Sequence, residues 1–258
     1  MNTKNKIIEQ SGEVLKETYN DLLKPTIEPI GQMISFLPRT VRLSLSKWEK
    51  WIINGEESLK LTGEAIREKI KNVSEEKLCE PENYVAIPAI QQISYCYDSE
   101  ELRNLYANLL VSSMNSDKKW KVHPSFVDII KQLTPDEAKL LKYLGSRIKI
   151  PAIDIHQIID KESNAFVTVY KNYIDIQCGL IEVSENIPSY IDNLLRLNLI
   201  EIPNGIYIDD EKVYVDLEGK IVIKDISMDL IKFIKKEIVI TSFGKDFIDV
   251  CVNDAYLL

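Results

Sequence analysis

The chain has 258 residues, 45% of them hydrophobic, and carries 32 Lys plus Arg against 40 Asp plus Glu, a net charge of -8. The apolar share excludes global disorder, and the acidic balance excludes bulk nucleic-acid binding, which needs clustered bases to neutralise phosphates. Cys79, Cys96, Cys178 and Cys251 are dispersed, and His123 and His156 are the only histidines. A disulfide framework and a His/Cys zinc site therefore both lack candidates, and no cofactor is expected.

The opening residues hold no apolar core of signal-peptide length, and no run of roughly 18 apolar residues occurs, which predicts an intracellular, cytoplasmic chain without a membrane span. Ile7, Ile8, Val14, Leu15, Leu22 and Leu23 recur near a helical period until Pro25 and Pro29 interrupt them. A second helix is expected over residues 39–53, with Arg39, Arg42, Lys47 and Lys50 against the single acid Glu49, and with Trp48 and Trp51 three residues apart. This basic, aromatic stretch is the candidate contact surface for a partner or for the inner face of the membrane. The simpler reading packs both indoles into the core and leaves the bases solvated.

Asn54-Gly55 is a stop signal, and residues 56–73 read as a helix rich in Glu and Lys. A polar connector over 74–84 precedes a helix expected to start at Pro88. Asp98 or Ser99 caps the next helix, with Glu100 and Glu101 in its first turn and a stripe of Leu102, Leu105, Tyr106, Leu109 and Leu110. A polar loop over 115–121 leads to a short helix after Pro124. Thr134-Pro135-Asp136-Glu137 is a strong helix start, ending at Gly145.

Beyond it the patterning changes. A strand is expected over 148–155, a helix from Pro188 to Leu197, a strand over 199–202 and a hairpin signal at Asn204-Gly205. Short strands are expected at 206–208, 213–215, 221–223 and 238–240, followed by a final helix capped by Thr241 or Ser242. The fold class is therefore expected to be mainly α with a smaller α+β part: a helical region over 1–133 and a winged-helix-like module over 134–258. Such a module invites a DNA-binding reading, but residues 135–258 carry 14 bases against 21 acids, a net of -7. Its wing would hold Asp209, Asp210, Glu211, Asp216 and Glu218 against Lys212 and Lys220, which repels phosphates. A nucleic-acid-binding regulator is thus the alternative and a protein-contact role the leading reading.

His123 precedes Pro124, has no Cys or Asp beside it in sequence, and belongs to no G-x-S-x-G. A structural role at a helix start is expected for it, and no catalytic constellation is recognised. The segments Leu102-Arg-Asn-Leu-Tyr-Ala-Asn-Leu-Leu-Val-Ser-Ser-Met114 and Val122-His-Pro-Ser-Phe-Val-Asp-Ile-Ile-Lys-Gln-Leu-Thr-Pro-Asp-Glu-Ala138 resemble the abortive-infection alpha family of bacteria. Tyr19, Asp21, Pro25 and Ile87-Pro88 are also similar to its pattern, and the resemblance runs over roughly residues 15–250. It implies a phage-defence role with an unknown protein partner or a phage-derived trigger. It assigns no catalytic residue, and His123, Pro124, Phe126, Pro135 and Glu137 enter as structural motif positions. The small-residue apolar stretch that the family carries after the early proline is short here and broken by Pro29 and Pro38, which argues against membrane insertion.

Overall fold

The computed structural model describes residues 55, 57–176, 179–182, 184–221, 223 and 226–253. The helices expected over 7–23 and 39–53, with Arg39, Arg42, Lys47, Trp48, Lys50 and Trp51, lie outside the described residues. Among those described are eight α-helices and one four-stranded antiparallel sheet, an α+β architecture. The chain divides into two compact units, Met1–Pro135 with Asp249–Leu258, and Asp136–Ile248.

In the first unit, helix α1 spans 57–70, α2 spans Asn83–Ile93, α3 spans Glu100–Ser113 and α4 spans Ser125–Lys131. Helix α2 begins five residues before the expected start and keeps Pro88 inside it. An interior proline removes only one backbone bond, and burial of Val85, Ala86, Ala89 and Ile90 outweighs that loss. Helix α3 starts where its residues demand: the Ser99 hydroxyl accepts from the Leu102 N–H at 3.1 Å, and two glutamates face the positive end of the helix dipole.

From Leu105 to Ser113 every residue of α3 is buried, so it is a central helix with more than one apolar stripe. Two of its buried polar residues are engaged by the π-helical turn Ile248–Val252. Asn108 Nδ2 donates to the Cys251 carbonyl and the Ser112 hydroxyl to the Val250 carbonyl, each at 2.9 Å. A helix end leaves its final carbonyls without donors, and these two side chains supply them.

In the second unit, helix α5 spans Pro135–Gly145, strand β1 Ile150–Asp160, β2 Ala165–Tyr173, helix α6 Ile187–Arg196, β3 Ile200–Glu201, α7 Glu211–Glu218, β4 Ile231–Ile240 and α8 Ser242–Phe247. The sheet order is β2-β1-β4-β3, with Ile155 opposite Phe233 and Ile200 opposite Ile240. Strand β2 has no counterpart in the sequence expectation, and β1 and β4 are longer than expected. A bulge sets Asp154 against Lys171 and Asn172. Asn172 takes a left-handed φ of 55°, donates its N–H to Asp154 Oδ1 at 2.8 Å, and accepts from Lys236 through its own Oδ1. Lys236 also pairs with Asp154 Oδ2 at 2.5 Å.

The strands expected at 206–208 and 213–215 are absent, as is any strand at Ile221 or Ile223; Val222 lies outside the described residues. Helix α7 occupies this stretch. The Asp210 side chain caps it by accepting from the Lys212 N–H, and Gly219 closes it. Tyr214 and Leu217 are then buried against Ile153 and Ile155 of β1, while Val215 points outward. The Tyr214 hydroxyl accepts from the Ile208 N–H and donates to the Lys236 carbonyl, both at 2.9 Å, tying loop and sheet together.

Candidate functional site

The second unit contains a half-open cleft of about 270 Å3 where the end of α5, the start of β1, the segment after β2 and helix α7 meet. Its floor is apolar, with Ile150, Ile174 and Leu217 buried beneath Pro151 and Val213. One wall is polar and already paired. Lys220 Nζ sits 2.6 Å from Asp175 Oδ2, with Asp216 nearby, and the Tyr143 hydroxyl donates to the Asp175 carbonyl at 2.5 Å. The hydrogen bond to Asp175 raises the Lys220 ammonium above its ordinary range, and burial raises the Tyr143 phenol against the opposing guanidinium of Arg147. The opposite rim is cationic and exposed. The Arg147 guanidinium lies 4.2 Å from the centre of the Tyr143 ring, and Lys149 follows two residues later. Among the described residues neither has a carboxylate within ion-pairing distance. Between them Ile148 is 100% exposed.

The sequence-selected motif residues are placed at helix starts. Pro124 precedes α4, and His123 Nδ1 accepts from the Ser125 N–H at 3.2 Å and lies 2.6 Å from its hydroxyl. The Ser125 N–H is one of the donors that the start of α4 leaves without an intrahelical partner, and His123 supplies its acceptor. Phe126 is fully buried, its ring 6.1 Å from that of His123. Pro135 opens α5, and Glu137 is buried and accepts from Asn193 at 2.7 Å. Its neighbour Asp136 accepts from the Glu182 N–H at 3.1 Å and the Tyr190 hydroxyl at 3.4 Å. The two acids thus serve the helix dipole and the packing of α6 together.

Two further features went unnoticed in the sequence. Asp249 bridges Lys118 at 3.0 Å and Lys121 at 2.5 Å; burial pushes its carboxyl up, but the hydrogen bonds from the two lysines outweigh that and hold it below the ordinary range. Beside this bridge Trp120 is 75% exposed, its Nε1 donating to the Asp117 carbonyl at 2.9 Å and the Lys121 ammonium 5.2 Å from its ring. The separation of 131 positions between Lys118 and Asp249 hides the bridge from any local pattern. The second feature is the far end of the β1–β2 hairpin, which extends past the last β4 partner at Gln157 as a two-stranded ribbon. Ile159 and Phe166 are exposed on it and Val167 and Val169 at its base, and Phe166 stacks on His156 with ring centres 4.1 Å apart.

Among the described residues no three His, Cys, Asp or Glu side chains gather to hold a metal ion, and no helix is long and apolar enough to cross a membrane. Cys79, Cys96 and Cys251 are unbridged. Comparison with curated proteins and with solved structures finds no match. The family model for abortive infection alpha matches residues 54–251, well over half of the chain and spanning the cleft, the helix-start motifs and the Asp249 bridge. Membership points to an abortive-infection role in phage defence. On this evidence the chain is a member of the abortive infection alpha family.

Proposed function

We propose that this chain is an abortive-infection factor that acts by contact with another protein, without catalysis, through the exposed β1–β2 ribbon of a winged-helix-like unit. The observation that carries the reading is the apolar ribbon: Ile159 is 65%, Phe166 52% and Val167 51% exposed where β1 and β2 run on beyond the last pairing with β4. Phe166 lies on one face of the ribbon beside His156, and Val167 and Ile159 lie on the other, so both faces offer apolar side chains to a partner. The winged-helix reading is supported by helix α6 running into β3, by the pairing of β3 with β4, and by β1 on the other side of β4. It departs from that plan where α7 stands between β3 and β4. This helix carries Glu211, Asp216 and Glu218 against Lys212, which argues against the nucleic-acid alternative.

A second reading, contact with the inner face of the membrane, is favoured by Trp120, an exposed indole among Lys118, Lys119 and Lys121. The experiment is a phage-yield assay in cells producing the wild-type chain or the Phe166→Asp/Val167→Asp variant. The expected result is reduced yield with the wild type and normal yield with the variant at equal protein abundance. Equal protection by both ends the ribbon reading. Flotation of the wild type on anionic vesicles that is lost in Trp120→Ala would favour the membrane reading instead.

A further inference from the structure

We infer that the α5–α7 cleft binds a small organic anion, a carboxylate or phosphate monoester carried on an apolar body about the size of one aromatic ring. The volume, about 270 Å3, lies just under the usual small-molecule range of roughly 300–1,000 Å3 and so limits the occupant to such a size. Charge sets its sign. Arg147, Lys149 and Lys220 line the cleft against Asp175 and Asp216, a net of +1; Lys220 is held by Asp175, so the cationic end of the cleft is that of Arg147 and Lys149. The Arg147 guanidinium is held over the Tyr143 ring, and Tyr143 is itself anchored through its hydroxyl to the Asp175 carbonyl. A guanidinium fixed in this way keeps its planar fork of donors available for two oxygens of one anionic group. Below it Ile150, Pro151, Val213 and Leu217 offer apolar surface that no charged headgroup would use. An occupant satisfying both halves carries the anionic group at one end and an apolar body at the other. Its binding requires nothing of the β1–β2 ribbon.

The test is calorimetric titration of the full chain with phenyl phosphate, with benzyl alcohol and inorganic phosphate as the two halves of the probe. Saturable binding of phenyl phosphate is expected, weakened about tenfold or more in Arg147→Ala, because a hydrogen-bonded charge pair is lost. Benzyl alcohol and inorganic phosphate alone are each expected to bind about tenfold more weakly, since each uses one half of the site. Lys149→Glu, at an exposed position, provides a second variant, and unchanged thermal unfolding of both confirms that they fold. Absence of saturable phenyl phosphate binding up to about 10 mM overturns the assignment. So does equal binding by the wild type and both variants, or equal binding of either half-probe.

Discussion

At the scale of single residues, His156 shows how burial sets a protonation preference. It lies on β1, 9% exposed, its ring stacked within 5° of parallel on Phe166. Desolvation lowers its pKa from 6.5; Asp154 opposes this, and Lys236 and Lys232 reinforce it. Because the folded value lies below the unfolded one, the unfolded chain takes up the proton first as pH falls. The stability this residue supports is complete above pH 6.5 and declines as pH drops through 6.5 toward the folded value. The slope is bounded by one proton, about 1.4 kcal/mol per pH unit. Urea unfolding of the wild type and of His156→Phe between pH 8 and pH 5 should give curves that diverge on the acid side; parallel curves would sink the idea. None of this was legible in the sequence, where His156 stands in an apolar run with no sign of its stacking partner ten residues on. Asn108 and Ser112 were equally opaque: polar residues inside a helical pattern read as solvent-facing, yet both are buried because the carbonyls they serve arrive from the end of the chain.

At the scale of elements, caps were legible and tertiary approaches were not. Ser99, Thr241 and the Pro135 start act as their local chemistry predicts, since a cap is decided within four residues. The stretch Val213-Tyr-Val-Asp-Leu217 alternates like a strand but also repeats at i and i+4, and five residues cannot separate the two periods. The Asp210 cap and Gly219 decide for the helix. Strand β2 was missed because its exposed stretch buries almost no side chain, so it lacks the one-sided pattern by which a strand is recognised. Gly244 in α8 is the sharpest case of an invisible constraint. A Cβ there would stand 1.9 Å from the Leu199 carbonyl oxygen and 3.1 Å from Ile240 Cγ2, so the helix lies directly on the entry to β3. Gly244→Ala should destabilise the fold by about 2–3 kcal/mol through overpacking against backbone. Gly219→Ala, whose Cβ would meet the Val215 carbonyl oxygen at 3.3 Å and that of Asp216 at 3.8 Å with an ordinary φ of -64°, should cost well under half as much. Denaturant midpoints measure both, and equal effects would remove close packing as the reason for glycine at 244.

At the scale of the whole molecule, the distribution of charge sets what a test of the nucleic-acid reading should find. Residues 135–258 carry a net of -7, and among the described residues six of their 14 bases are engaged by carboxylates: Lys139 with Asp136, Lys161 with Asp229, Lys171 with Asp192, Lys220 with Asp175, Lys235 with Glu211 and Lys236 with Asp154. A protein that tracks a duplex needs a row of bases free to replace the counterions on successive phosphates. Each neutralised phosphate contributes about -0.9 to the slope of log affinity against log salt. The two uncompensated bases that sit together, Arg147 and Lys149, line one cleft sized for a single small anion. Duplex DNA engaging only that pair would therefore show a salt slope no steeper than about -2, against -5 or beyond for a protein making six or more phosphate contacts. Fluorescence anisotropy with a labelled duplex, measured from low salt to physiological salt, should show binding that is weak at the start, shallow in its salt dependence and absent at about 0.15 M. Binding that persists at that salt, with a steep slope, would make the nucleic-acid reading the better one despite the acidic helix α7. Shallow binding removed by Arg147→Ala would instead place the duplex phosphates in the same cleft that holds the small anion, as a low-affinity mimic of it.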